Sequence, residues 1–236
     1  MVDDHGLRPI QKLGATPTGV TEYSTATLSD ALQKLGMRNR VLDAGLRPLL
    51  PFTKMAGTAV TLKLAASEEP ASYGRVMALA FEAGKEVAAP ILVIEFPKDL
   101  VGATVIGSGG AHVMRDQYGF AGCVLEGALR DTDDLKRMRF QVYHRFIHPE
   151  YVFGLMKGVS FQEPVLVGGV RISPGDILVG DNDGMVAIPS GELGRVIEAA
   201  DAILEQERRI LSEIAGGRPY LDVAREQQPE AFQGER

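Results

Sequence analysis

Two apolar runs, APILVIEF at 89–96 and FAGCVLEG at 120–127, constrain this chain most. Each is too short for a buried helix and is continuous rather than alternating, the pattern of a strand covered on both faces. Between them lies GSGGAHVMRDQYG, a glycine-rich turn opening a helix-like segment. A strand, turn, helix and strand in that order predict parallel pairing through a crossover.

The flanking sequence extends the same alternation. AGTAVTLKLAA at 56–66 and TVIG at 104–107 read as strands, and SYGRVMALAFEAG at 72–84 spaces its apolar residues as a helix does. STATLSDALQKLG begins with capping residues, carries Leu28, Ala31, Leu32 and Leu35 at helical spacing, and stops at Gly36. The stretch PVLVGGVRISPGDILVGDNDGMVAIP is broken by GG, PGD and NDG into short strands with tight turns. From Glu192 to Ile214 a long amphipathic helix follows, ended by the glycine pair at 216–217. The expected fold is therefore α/β in a single domain over 21–215, with an N-terminal arm over 1–20. A polar C-terminal tail over 216–236 is expected as an exposed arm or a lid over a neighbouring subunit.

Composition narrows the function classes. The formal charge of −6 comes without a basic cluster, which argues against a nucleic-acid surface. Neither a signal-peptide pattern nor an apolar run of membrane-spanning length is present, so no membrane role and a cytoplasmic location are expected. The single cysteine, Cys123, sits in a buried-strand context and reads as a small hydrophobe.

Three groups of residues could carry chemistry. Glycines at a strand-to-helix turn let backbone N–H groups converge on an anion, so Gly107, Ser108, Gly109 and Gly110 form either an anion cradle or a plain turn. Arg130 and Asp131 close the strand after that helix, where ligand crevices of open α/β sheets lie. Arginine can grip a carboxylate or an enolate oxygen and aspartate can hold Mg²⁺ or Mn²⁺, although an RD pair also describes a solvated strand end. His144 and His148 would share a helix face as zinc ligands do, but FQVYHRFIHP is richer in strand formers and the spacing loses that meaning. Asp181 and Asp183 in GDNDG fit a hairpin turn better than a calcium loop.

Taken whole, GSGGAHVMRDQYGFAGCVLEGALRD resembles the RraA-like family, which includes divalent-metal-dependent 4-hydroxy-4-methyl-2-oxoglutarate and 4-carboxy-4-hydroxy-2-oxoadipate aldolases. The resemblance runs over most of residues 24 to 214. It implies a swivelling β/β/α fold and homotrimers or homohexamers with sites at subunit interfaces. It also implies a 2-oxo acid substrate cleaved through a pyruvate enolate, by retro-aldol reaction or by oxaloacetate decarboxylation. By motif, the Gly107 to Gly110 turn would hold the pyruvate carboxylate, Arg130 would steady the keto oxygen, and Asp131 would bind the metal.

One departure stands out: where the aldolase branch carries an acid twenty-one positions before the arginine, this chain has Gly109. Glu126 replaces the branch's aspartate near the strand end. Candidates to supply the missing acid are Glu205 or Glu207 on the closing helix and Glu95 after the first apolar run. His112, just inside the helix after the turn, reads either as a ligand or proton donor or as a plain surface histidine. The family also contains non-catalytic regulators that bind a ribonuclease, which sets an alternative of a different class. Older descriptions of the family as menaquinone methyltransferases would need a nucleotide-binding opening, and the mid-chain GSGG lacks the acid such an opening requires.

Overall fold

The computed structural model describes residues 19–100, 102–227 and 229–232. Four parallel strands form its centre: β2 (Met55–Ala66), β3 (Pro90–Glu95), β4 (Gly122–Leu129) and β5 (Gln141–Ile147), with β2 beside β3, β3 beside β4 and β4 beside β5. The two continuous apolar runs are thus neighbours in the predicted parallel arrangement. The short β1 (Arg47–Pro48) pairs antiparallel to β5 at one edge.

The far edge of β2 is shared by two partners. Its first half pairs with β9 (Ile177–Gly180), which leads to β10 (Met185–Ile188), and its second half pairs with β6 (Met156–Phe161), with a register shift between Lys63 and Leu64. A separate hairpin, β7 (Val165–Val167) with β8 (Val170–Ile172), completes the strand-rich stretch expected from the GG, PGD and NDG turns. The helices are α1 (Thr25–Lys34), α2 (Gly74–Gly84), α3 (Ser108–His112), α4 (Thr132–Arg137), α5 (Leu193–Ala215) and α6 (Tyr220–Gln227), and α3 runs on into a π-turn at Val113–Gln117.

The period-2 alternation of the strands sorts their side chains into different cores. Leu92, Ile94, Cys123 and Leu125 face Met77 and Ala80 of α2, Ala111 of α3 and Leu135 of α4. Ile91, Val93 and Val124 face the other way, against Val165, Val167, Val170 and Ile172 of the hairpin. In β9 and β10, Leu178 and Ala187 join that second core, while Ile177, Val179, Val186 and Ile188 meet Leu28 of α1 and Val196, Ala200 and Ile203 of α5. Each fully buried Leu, Ile or Val contributes roughly 1.5–3 kcal/mol by leaving water. Cys123 is wholly buried and burial pushes its thiol pKa up, which agrees with packing rather than reactivity.

Several segments differ from their sequence reading. TVIG is not a strand: Thr104 alone makes bridges, to Ala128 and Tyr151, before the chain turns into α3. Most of the expected N-terminal arm lies outside the described residues, but Val20 is buried against α1 and α5, so the folded unit already includes it. The tail is partly helical: α6 buries Val223, and Arg218 pairs with Glu213 and Glu226. Its polar composition concealed a single apolar anchor. Among the described residues no helix is long and apolar enough to cross a membrane.

Candidate functional site

Arg130 and Asp131 occupy the two-residue link between the end of β4 and the start of α4. Asp131 has φ 56° and ψ 35°, a left-handed conformation that aspartate tolerates better than most side chains. This turn of the backbone directs its carboxylate towards the glycine turn. The Ser108 backbone N–H donates to Asp131 Oδ2 at 2.9 Å, and the Ser108 hydroxyl reaches the same oxygen at 3.3 Å. Gly107 makes the approach possible, because a Cβ there would overlap the Asp131 carboxylate and lie 3.1 Å from Arg130 Nε. The turn and the RD pair, distant in sequence, are in direct contact at the carboxyl end of β4.

Arg130 is held differently. Its guanidinium carbon lies 4.8 Å from the centre of the Tyr151 ring, and its Nε is the one buried side-chain polar atom without a partner among the described residues. An unpaired buried N–H costs about 1–3 kcal/mol, so its presence at a strand end marks a position that awaits an acceptor. The Tyr151 hydroxyl lies 2.7 Å from that of Tyr73, the residue preceding α2, and the Tyr151 ring meets Phe153 edge-on at 4.8 Å. Burial raises the Tyr73 pKa, the Tyr151 hydrogen bond adds to the rise, and the Arg130 charge opposes it. Sequence reading passed over both tyrosines, because they sit in loops without a motif and only the tertiary fold carries them to Arg130.

The other predicted residues divide between the crevice and elsewhere. Gly109 is exposed and a Cβ on it would meet nothing within 4 Å, so the space for the missing acid exists but the carboxylate does not. Gly110 is half-buried beside Ile106. His112 is exposed on α3, with Nδ1 3.1 Å from Asp116 Oδ2. Asp116, bonded first to Arg115 and then to His112, has its pKa lowered to about 2.

Glu126 is not brought to the glycine turn. It receives Arg145 Nε at 2.7 Å and the Gly168 N–H on the face covered by β7 and β8, because strand alternation turns it away from α3. Glu95 binds Lys63 at 2.7 Å and the Leu166 N–H at 2.8 Å and so anchors the same hairpin. Glu207 lies exposed on α5, and Glu205 pairs with Arg208; both belong to the helix packed on α1 rather than to the layer containing α3.

The histidine and acidic-loop readings also have defined outcomes. His144 is buried on strand β5 with Nδ1 3.0 Å from the Phe146 carbonyl, while His148 Nδ1 accepts the Glu150 N–H at 3.3 Å. GDNDG is the turn between β9 and β10, where Asp181 accepts the N–H and hydroxyl of Thr25 at 2.8 and 2.7 Å and fixes the start of α1.

A divalent ion can be tested against these donors. Among the described residues no three His, Cys, Asp or Glu side chains gather into a metal cage, which excludes a closed zinc-type set within that part of one chain. Asp131 is the crevice carboxylate that could hold Mg²⁺ or Mn²⁺, ions that retain waters and need only one or two carboxylates together with substrate oxygens. Both Ser108 contacts fall on Asp131 Oδ2.

The chain matches the sequence profile of the RraA-like family, described as Aldolase/RraA, over residues 25–187. It is 30% identical over 207 residues to a Halalkalibacterium halodurans protein provisionally named a 4-hydroxy-4-methyl-2-oxoglutarate aldolase, covering 84% of this chain and 90% of that one. Among solved structures it superposes on Streptomyces coelicolor RraAS2, described as an unusual member of the RNase ES inhibitor RraA protein family. That match has a TM-score of 0.71 at 23% identity, over 88% of this chain and 98% of the other. An uncharacterized Pseudomonas syringae pv. tomato protein gives a TM-score of 0.68 at 26% identity, over 84% and 91% of the two chains. The order of strands and helices, the RD pair in contact with the glycine turn, and a profile spanning most of the sequence converge: the chain belongs to the RraA-like family.

Proposed function

We propose that this protein is a divalent-metal-dependent lyase that cleaves a 2-oxo acid through a pyruvate enolate. The observation that carries the reading is Arg130 Nε, buried without a partner among the described residues, beside Gly107 and the Asp131 carboxylate. A keto oxygen entering there satisfies the orphaned N–H, and the bond strengthens as the oxygen becomes an enolate, which is the differential binding that catalysis needs. The amides of Gly109 and Gly110 lie in the first turn of α3, have no helical acceptor by position, and suit the substrate carboxylate. Asp131 is the residue that would hold Mg²⁺ or Mn²⁺, which when bound would supply Lewis-acid stabilisation of enolate charge. In a retro-aldol step the bond between C3 and C4 breaks, its electron pair enters the keto group, and the C4 hydroxyl gives up its proton. In oxaloacetate the C3–C4 bond breaks likewise, its electron pair entering the keto group to form the enolate while C4 leaves as carbon dioxide, and in both reactions a proton from water then joins C3 to give pyruvate.

The assay measures pyruvate from 4-hydroxy-4-methyl-2-oxoglutarate and from oxaloacetate with Mn²⁺ or EDTA, beside Arg130→Ala as the control for free-metal decarboxylation. Metal-dependent release lost in the variant is expected. Equal rates in both proteins would remove Arg130 from the chemistry. The proposal includes a cytoplasmic homotrimer or homohexamer, the assembly being read by light scattering.

Gly109 favours a second reading, a regulator that binds a protein such as a ribonuclease, since the acid that would steady metal-bound water is absent. A melting temperature that does not respond to Mn²⁺ titration would support it, whereas a rise with metal concentration supports the lyase.

A further inference from the structure

We propose that Tyr151, locked by Tyr73, is the positioning residue that presents the Arg130 guanidinium to substrate. The inference deepens the lyase reading and rests on it for its kinetic part only. An arginine at a strand end has several rotatable bonds, and ordering such a side chain costs up to about 2 kcal/mol of rotamer entropy. Arg130 nevertheless has a buried Nε that no hydrogen bond among the described residues restrains. What restrains it is a face: the guanidinium lies 4.8 Å from the Tyr151 ring centre, within the range of a cation–π contact.

The shelf is itself fixed from three directions. Its hydroxyl meets Tyr73 at 2.7 Å, its ring edge meets Phe153, and its backbone bridges Thr104. The loops bearing Tyr73 and Tyr151 are also tied together, through Ala71 N–H to the Gly154 carbonyl at 3.0 Å and Ser67 N–H to the Leu155 carbonyl at 2.8 Å. The crevice therefore has a backbone wall at the glycine turn and an aromatic wall at Tyr151, with Arg130 between them.

The arrangement also makes the two hydroxyls distinguishable from the ring. One tyrosine donates to the other, so the acceptor retains its own O–H, and the raised Tyr73 pKa keeps its phenol protonated near neutral pH. Removing the Tyr151 hydroxyl leaves the shelf and loses its lock. Removing the ring loses both.

The test uses Tyr151→Phe, Tyr151→Leu and Tyr73→Phe in the full-length protein. The first readout needs no activity: the Arg130 Nε–H cross-peak in proton–nitrogen NMR, assigned by its loss in Arg130→Lys. We expect it sharp in wild type, modestly broadened in Tyr151→Phe and Tyr73→Phe, which lose the lock alone, and broadened most in Tyr151→Leu. The second readout is pyruvate release, where Tyr151→Leu lowers kcat about tenfold with KM changed less, and Tyr151→Phe recovers most of the loss. Tyr73→Phe, which loses the same hydrogen bond and keeps the ring, behaves as Tyr151→Phe does.

An unchanged Arg130 peak in a folded Tyr151→Leu, judged by its melting curve, overturns the positioning role. If Tyr151→Leu does not fold, the peak in Tyr73→Phe decides: side-chain exchange faster than in wild type supports the role, and unaltered exchange overturns it. A wild-type protein that releases no pyruvate but shows the expected NMR pattern sinks the lyase reading alone.

Discussion

Arg130 and Arg145 belong to neighbouring strand segments, yet the fold treats them in opposite ways. Arg145 gives its N–H groups to carboxylates: Nε and Nη2 meet Glu126, and Nη1 meets Asp43 at 2.8 Å. Glu126 in turn accepts the Gly168 N–H, so the cluster staples the hairpin and the segment bearing Asp43 onto the sheet. Arg130 has an aromatic face beneath it and an orphaned Nε. A saturated guanidinium holds structure together, whereas an unsaturated one at the ends of parallel strands is available to a ligand.

The largest expected effect separates these two roles. Arg130→Ala should lower pyruvate release by about 100- to 1,000-fold, the scale of losing a donor to a developing oxyanion, with little change in melting temperature. Arg145→Ala should do the reverse, destabilising the protein by roughly 2 kcal/mol because Glu126 loses its charge partner while half-enclosed, with pyruvate release preserved. Paired denaturant melts and rate assays check both, and a common loss of activity in the two variants would dissolve the distinction.

A second contrast lies within the glycine turn. Gly107→Ala should cut the rate about tenfold or more, since its methyl displaces the Asp131 carboxylate and crowds Arg130 Nε. Gly109→Ala, facing open space, should stay within about twofold of wild type because it removes no donor and meets no neighbour. Gly109→Asp sharpens the comparison further: a carboxylate in that space should tighten Mn²⁺ binding about tenfold, as read by isothermal titration calorimetry.

The smallest effect concerns His144, buried on the strand that carries Arg145. Burial lowers its pKa below the ordinary 6.5, with the Phe146 carbonyl opposing and Lys136 reinforcing the shift. A depressed histidine binds its proton less readily folded than unfolded. Its stabilising contribution is therefore complete above pH 6.5 and is lost as pH falls through the folded value. Melting temperature followed from pH 7.5 downwards should fall more steeply in wild type than in His144→Gln, and parallel slopes would discount the group.

Much of this architecture was legible in the chain itself. Continuous apolar runs announced strands buried on both faces, the 3.6-residue spacing announced α1, α2 and α5, and the turn pairs announced β7 to β10. The site was legible only where it has a motif: the glycine turn and the RD pair. Residues 150–161 and TDDLKR carry no comparable signal, so β6 and α4 went unread. Sheet pairing of β6 and burial of Leu135 of α4 in the core are matters of what lies opposite, which periodicity does not encode.

Local chemistry determined which residues could form a strand, a turn or a helix, because backbone preference and side-chain period act over a few residues. Tertiary structure decided the rest. It turned Glu126 away from the crevice and towards Arg145, set Gly107 against Asp131, and carried Tyr151 beneath Arg130 with Tyr73 bonded to it. Those contacts join segments far apart in the chain, and only the packing of the sheet fixes which side chains share a face and which donor is left without an acceptor.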